Sequence, residues 1–194
     1  MPTVKKNTAE DRRVISILVD NQRGVLARVS SLFNRRGFNI DSLTVSTTND
    51  PAISRITVTT HGDENAISQL LLQTDRLEVT RQVFELDPDN SLQRELLLLK
   101  VAADVHSRAE LREIASIYKS KIIDLSPDSM VFELTGRPSK IDAFLLMFQD
   151  YHILEMCRTG VTAIERGGMH KHMQKPVQEV SGIHYPTYGP KAGK

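Results

Sequence analysis

The stretch RRVISILVDNQRGVLARVSSLFNRRGFNIDSLTV, residues 12–45, decides the fold. Within it, residues 14–19 (VISILV) barely alternate between apolar and polar, the mark of a strand buried on both faces. Asp20-Asn21-Gln22-Arg23-Gly24 then interrupts the apolar run and predicts a turn. A helix is expected from about residue 24 to residue 36, because Val25, Leu26, Val29, Leu32 and Phe33 recur at helical spacing on one stripe. Gly37 stands where a left-handed residue closes such a helix. Strand, turn, amphipathic helix and second strand, in that order, make the first half of a β-α-β-β-α-β unit.

Outward from this stretch the unit completes itself. Residues 40–47 and 53–60 predict two strands joined through Thr48-Asn49-Asp50-Pro51. Asp63 is placed to cap a second helix to about residue 74, with Ile67, Leu70 and Leu71 inward, and residues 77–86 predict a fourth strand. Asp87-Pro88-Asp89-Asn90 reads as a linker, after which the pattern restarts. Residues 95–103 hold the apolar run of a buried strand. Ser107 and Glu110 have the S-x-x-E spacing of a capping box, before a helix carrying Leu111, Ile114 and Ala115. Strands at 121–125 and 130–134 flank Ser126-Pro127-Asp128. Pro138 suits the first turn of a helix that buries Ile141, Phe144, Leu145 and Phe148. Residues 153–164 close the unit as a strand with a break near Gly160. The expected fold class is α+β: two tandem ferredoxin-like βαββαβ domains, at 12–87 and 92–167, behind a flexible arm at 1–11. Residues 168–194 are rich in Gly, Pro, Lys and His and predict a mostly disordered tail.

Composition narrows the function classes. Lys and Arg number 25 against 24 Asp and Glu, and a formal charge of +1 gives no electrostatic case for nucleic acid. The single Cys157 excludes a disulfide framework and a multi-cysteine metal site; in its strand pattern it reads as a small core residue, not a nucleophile. No apolar run approaches the roughly 18 residues of a membrane span. The polar N-terminal residues lack the apolar core of a secretion signal, so the cytoplasm is the expected location. His170 and His172 have one residue between them, but two histidines on a disordered tail predict no specific metal site. Arg35 and Arg36 complement the negative end of the first helix. The common phosphate-loop, dinucleotide, zinc-protease and serine-hydrolase motifs are absent, and no residues are arranged as an acid–base or nucleophile set, so no catalytic residue is expected.

Binding chemistry concentrates in the first turn. A helix start leaves backbone N–H groups free and carries partial positive charge, so a free carboxylate gains about 0.3–2 kcal/mol by docking there. Gly24 has no side chain to block that approach. Asn21 offers an amide oxygen to an ammonium group and an amide N–H to a carboxylate, and Asn39 follows at the start of the second strand. This set suits an α-amino acid whose side chain lies against Leu26. Asn and Gly are also ordinary turn residues, and Asn21 as a plain helix cap accounts for the same local pattern. The turn by itself leaves both readings standing, with the cap the simpler.

Residues 12–45 resemble the start of an ACT domain and, more narrowly, the small regulatory subunits of acetolactate synthase (acetohydroxyacid synthase). The narrower likeness is carried by RRGFNIDSLTV at 35–45 and by N-D-P-x-x-S-R at 49–55. K-I-I-D-L at 121–125, K-I-D-A-F at 140–144 and R-T-G at 158–160 extend it through the second half. The resemblance implies a partner, a large catalytic subunit holding thiamine diphosphate, Mg²⁺ and FAD, with no cofactor in this chain. That enzyme joins two pyruvates into acetolactate with loss of CO2, or pyruvate and 2-oxobutyrate into acetohydroxybutyrate, in branched-chain amino-acid biosynthesis. The small subunit raises its activity and confers feedback inhibition, typically by valine. The resemblance further implies a homodimer through the ACT domains, with the effector between them. The family's effector positions fall here on Asn21, Gly24, Val25, Leu26, Ala27, Asn39 and Ile40. Relatives often carry Ser where this chain has Ala27, so a hydroxyl is lost there. Sequence leaves valine, leucine and isoleucine all open as effectors, because one methylene is worth only about 1–3 kcal/mol.

Two other classes remain. An ACT sensor serving another enzyme, or transcription, would use the same turn; the transcription version needs a DNA-reading helix pair and a basic face, which the short arm and near-neutral charge do not supply. A small acylphosphatase-like enzyme needs an Arg-bearing phosphate cradle, which Asn21-Gln22-Arg23-Gly24 matches only faintly.

Overall fold

The computed structural model describes residues 12–167; the expected arm, the expected tail and His170 and His172 lie outside them. The first unit runs β1 (Arg12–Asp20), α1 (Val25–Arg35), β2 (Ser42–Thr47), β3 (Ile53–His61), α2 (Glu64–Asp75) and β4 (Thr80–Glu85). Its antiparallel sheet has the order β2-β3-β1-β4. The second runs β5 (Ser91–Ala102), α3 (Arg108–Tyr118), β6 (Lys121–Leu125), β7 (Ser129–Gly136), α4 (Pro138–Leu146), β8 (Ile153–Arg158) and β9 (Thr162–Glu165). Its order is β6-β7-β5-β8, with β9 also paired to β5. Both units are ferredoxin-like, and the α+β expectation holds. No helix among the described residues is long and apolar enough to cross a membrane.

The double burial of β1 has two separate causes. Ile15, Ile17 and Val19 point into a core with Val25, Val29 and Phe33 of α1 and Ile67 and Leu70 of α2. The register with β3 sets Val14 opposite Thr59 and Ser16 opposite Thr57, on the other face of the sheet. That face is covered by the second unit: Val14, Phe84 and Leu86 form a small core with Val161 and Ala163. Ser16 is fully buried there and accepts a 2.9 Å hydrogen bond from Arg55 Nη1. Burial lowers the Arg55 pKa, and the nearby charge of Glu165 on β9 opposes that shift.

The expected strand at 153–164 is two strands. Gly160, at φ +80°, turns the chain between them. β8 pairs with the second half of β5, and β9 crosses to its first half, where Ser91 lies opposite Glu165. β5 therefore begins at Ser91 and not at residue 95, because residues 91–94 have a partner strand of their own. Cys157 is exposed and not in the core. It lies opposite Leu98 on the side of the sheet away from α3 and α4, whereas the buried Leu97 and Leu99 point into the core between sheet and helices.

The capping box forms one turn earlier than expected. Ser107 makes no side-chain cap to α3. Asp104 Oδ1 accepts from the backbone N–H of Ser107 at 2.8 Å and of His106 at 3.0 Å, and Ser107 Oγ accepts from the Asp104 N–H at 3.0 Å. Residues 104–107 thus form the reciprocal box, and Glu110 is left out of it. The Ser107 N–H and hydroxyl hold the Asp104 carboxyl below its ordinary pKa. A carboxylate with a depressed folded-state pKa stabilises the fold above its unfolded pKa, and that stability is lost as pH falls through the folded value. Asp104→Ala is therefore expected to lower the melting temperature at neutral pH. The gap from the parent should close on acidification from about pH 7 to about pH 2, as thermal melts will report.

Candidate functional site

The turn after β1 is set by three backbone contacts. The Asn21 N–H donates to Ala52 O at 2.7 Å, Gln22 N–H to Asp20 O at 2.9 Å, and Asp20 N–H to Val79 O at 2.9 Å. These tie the end of β1 to the β2–β3 connection and to the residue before β4. Gly24 then enters α1 at φ +79°, a left-handed position that glycine adopts without steric cost. A Cβ built on it would meet nothing within 4 Å, so the space over the helix start is open.

Asn21 does not cap α1, which has no side-chain cap bond. Its Nδ2 donates instead to Pro51 O at 2.9 Å. Its amide oxygen accepts no hydrogen bond among the described residues. The first-turn N–H groups of Leu26 and Ala27 have no acceptor among the described residues, and Val25 N–H makes only a long 3.4 Å bond to Gln22 O. No acidic side chain sits in the first turn. The nearest carboxylate along the chain, Asp20, is held at 2.6 Å by Arg81 Nε. The turn therefore offers free donors, one amide oxygen and no competing negative charge.

Leu26 was expected in the inward stripe, but it is 40% exposed. The inward arc is Val25, Val29, Leu32 and Phe33; Leu26 lies at the edge of that arc, about 20° beyond Phe33, in the first turn of the helix. Ala27 is also exposed and lines a shallow cleft with Arg28, Ser31, Arg35 and Leu77 on the outer face of α1.

Asn39 and Ile40 stand at the other end of α1, about 16 Å from the turn for a helix of this length. They precede β2 and are not part of it. Asn39 is exposed, and Ile40 packs partly against the first core. Asn39 Nδ2 donates to Asp41 Oδ1 at 2.7 Å, and Thr60 Oγ1 donates to Asn39 O at 2.6 Å. His61 Nδ1 approaches Asp41 Oδ2 at 2.7 Å. Asn39, like Asn21, spends its amide nitrogen within the chain, and neither amide oxygen accepts a hydrogen bond among the described residues. The chain thus brings Asn21, Gly24, Val25, Leu26 and Ala27 together and holds Asn39 and Ile40 apart from them. Sequence reasoning missed Pro51, Asp41 and Arg81 as the groups that orient this set. Asn49-Asp50-Pro51 signalled a hairpin connection and the family likeness, but not a contact with Asn21.

Comparison with known proteins covers both units. A family described as "AHAS small subunit-like ACT domain" matches residues 15–82, and one described as "Small subunit of acetolactate synthase" matches residues 94–167. The acetolactate synthase isozyme 3 small subunit of Escherichia coli is 40% identical over 157 residues, 80% of this chain and 96% of that protein. The acetolactate synthase small subunit of Mycolicibacterium smegmatis is 40% identical over 153 residues, 79% of this chain and 90% of that one. The crystal structure of the acetolactate synthase small subunit from Thermotoga maritima superposes with a TM-score of 0.75 at 36% identity, covering 81% of this chain and 99% of that one.

Proposed function

Because the chain belongs to the family of acetolactate synthase small subunits, we propose that it is the regulatory partner of a thiamine-diphosphate-dependent catalytic subunit, whose activity it raises and makes sensitive to valine. Thiamine diphosphate, Mg²⁺ and FAD belong to that partner, which converts two pyruvates to 2-acetolactate and CO2. This chain contributes no catalytic group.

The observation that carries the effector reading is the unsatisfied start of α1 near an amide oxygen that accepts no hydrogen bond among the described residues. A valine carboxylate fits the N–H groups of Leu26 and Ala27, and its ammonium fits the oxygens of Asn21 and Asn39. Its isopropyl group fits against Leu26 and Ile40, a burial worth about 2 kcal/mol. Since Asn39 and Ile40 stand at the far end of α1, they serve the seat of a second copy of the chain. The effector then bridges two N-terminal units of a homodimer, one symmetric pair of seats per dimer. Valine stabilises one arrangement of that dimer and holds the catalytic subunit in its less active state.

A mixing experiment tests the two-chain seat. Gly24→Asp and Asn39→Ala chains, each alone with the catalytic subunit, are expected to lose valine inhibition. Co-refolded together, they form mixed dimers in which one seat is doubly damaged and the other intact, so inhibition should partly return. A seat built within one chain would leave the mixture as insensitive as either variant, and that result would refute the arrangement.

A further inference from the structure

The segment that bears Asn39 and Ile40 also grips the second unit. Asp41 N–H donates to Thr59 O at 2.9 Å, and β2 starts at the next residue. Ser42 Oγ lies 2.7 Å from Thr59 Oγ1 and accepts from the Val161 N–H at 3.3 Å. Thr44 Oγ1 donates to Val161 O at 2.9 Å. Both backbone polar groups of the fully buried Val161 are thus held by side chains of β2. Gly160 makes the approach possible: a Cβ there would stand 2.8 Å from Ser42 Cβ. Thr44 is five positions after Asn39, at most about 18 Å of extended chain.

The seam is part apolar and part hydroxyl-lined. Register places Ser16, Ser42, Thr44, Thr57 and Thr59 on the face turned toward the second unit. Apolar contacts hold one end of that face, but hydroxyls line the edge nearest Asn39. Because Val161 is fully buried, releasing either hydroxyl leaves a backbone polar group without a partner, so gripped and released states differ in free energy. Beyond Val161 the path is stiff. Thr159 exchanges hydrogen bonds with Leu96 on β5, and Arg158 is paired with both Glu95 and Asp142.

We propose that Thr44 and Ser42, gripping Val161 across Gly160, are positioning residues that carry effector occupancy at Asn39–Ile40 into the second unit. The proposal rests on the effector reading above. Ligand contact at Asn39–Ile40 shifts the start of β2, and the hydroxyl grip passes that shift to the segment that ends β8 and starts β9. The coupling free energy lies in the difference between gripped and released states.

Thr44→Val keeps shape and removes the donor; Thr44→Ser keeps the donor. In the holoenzyme, valine binding is read by equilibrium dialysis and inhibition by acetolactate formation. Thr44→Val is expected to bind valine within about threefold of the parent while maximal inhibition falls by half or more, and Thr44→Ser is expected to restore parental inhibition. Ser42→Ala supplies a second variant with the same expected split. Parental inhibition in both Thr44→Val and Ser42→Ala would overturn the proposal, as would a Thr44→Ser chain that behaves like Thr44→Val. Failure of the parent chain to bind valine would overturn the effector reading itself, and the coupling with it.

Discussion

Gly24→Asp is expected to raise the valine concentration for half-inhibition by at least about 100-fold while leaving the fold intact. The new carboxylate would stand where the ligand's own carboxylate docks. Two such charges about 4 Å apart at an effective dielectric near 20 repel by about 4 kcal/mol, and each 1.4 kcal/mol is tenfold in affinity. Folding should survive, because the added Cβ meets nothing within 4 Å. The remaining cost is that of a side chain at φ +79°, about 1–2 kcal/mol. Gly24→Asn isolates that cost, since Asn tolerates the left-handed region and carries no charge. The neutral variant should keep most of the valine response. Inhibition of the Asp variant at parental potency, measured as acetolactate formation by the reconstituted enzyme, would place the effector elsewhere.

Glu95→Ala should cost about 3 kcal/mol of stability in urea unfolding, the low end for removing one partner of a buried ion pair. The Glu95 side chain is 2% exposed and lies between two guanidinium groups. Arg12, at the start of β1, reaches its Oε1 at 3.3 Å. Arg158, on β8, donates to its Oε2 through Nε at 3.0 Å and also through Nη2. Arg158 in turn reaches Asp142 on α4 at 2.8 Å. Burial alone would lower the Arg158 pKa, but the hydrogen bonds and charges of Glu95 and Asp142 outweigh it and the pKa is raised. The two arginines are 27% and 28% exposed, so water relieves part of the penalty and the low end applies. One carboxylate thus joins the first strand of one unit to two elements of the other. A loss below about 1 kcal/mol would mean that the group behaves as an exposed pair.

What the sequence disclosed follows from which forces are local. Element order and type were legible because periodicity reports them directly: the stripe Val25, Val29, Leu32 and Phe33, Asp63 accepting from Ala66 at 2.8 Å, and Gly37 at φ +74° all stand as expected. The misreadings share a cause in contacts made far along the chain. β1 reads as doubly buried, but nothing local says that Val161 and Ala163 supply the second cover. The strand expected at 95–103 starts four residues earlier, because β9 pairs with residues 91–94. Ser107 and Glu110 have the right spacing for a cap, yet Asp104 lies three residues earlier and is the better acceptor. Leu26 fits the helical stripe by type, but it stands at the edge of the inward arc in the first turn and is 40% exposed. In the candidate site, the turn and its glycine were legible, while the orientation of both asparagine amides was not. That orientation depends on Pro51 and Asp41, whose roles appear only once the chain is folded.

The most direct test of the regulatory reading is acetolactate formation by the catalytic subunit in three states: alone, with this chain, and with this chain and valine. Turnover should rise when the chain is added and fall again as valine is titrated, with no valine effect on the catalytic subunit alone. Turnover that ignores the chain, or that rises with the chain and then ignores valine, leucine and isoleucine alike, would contradict it.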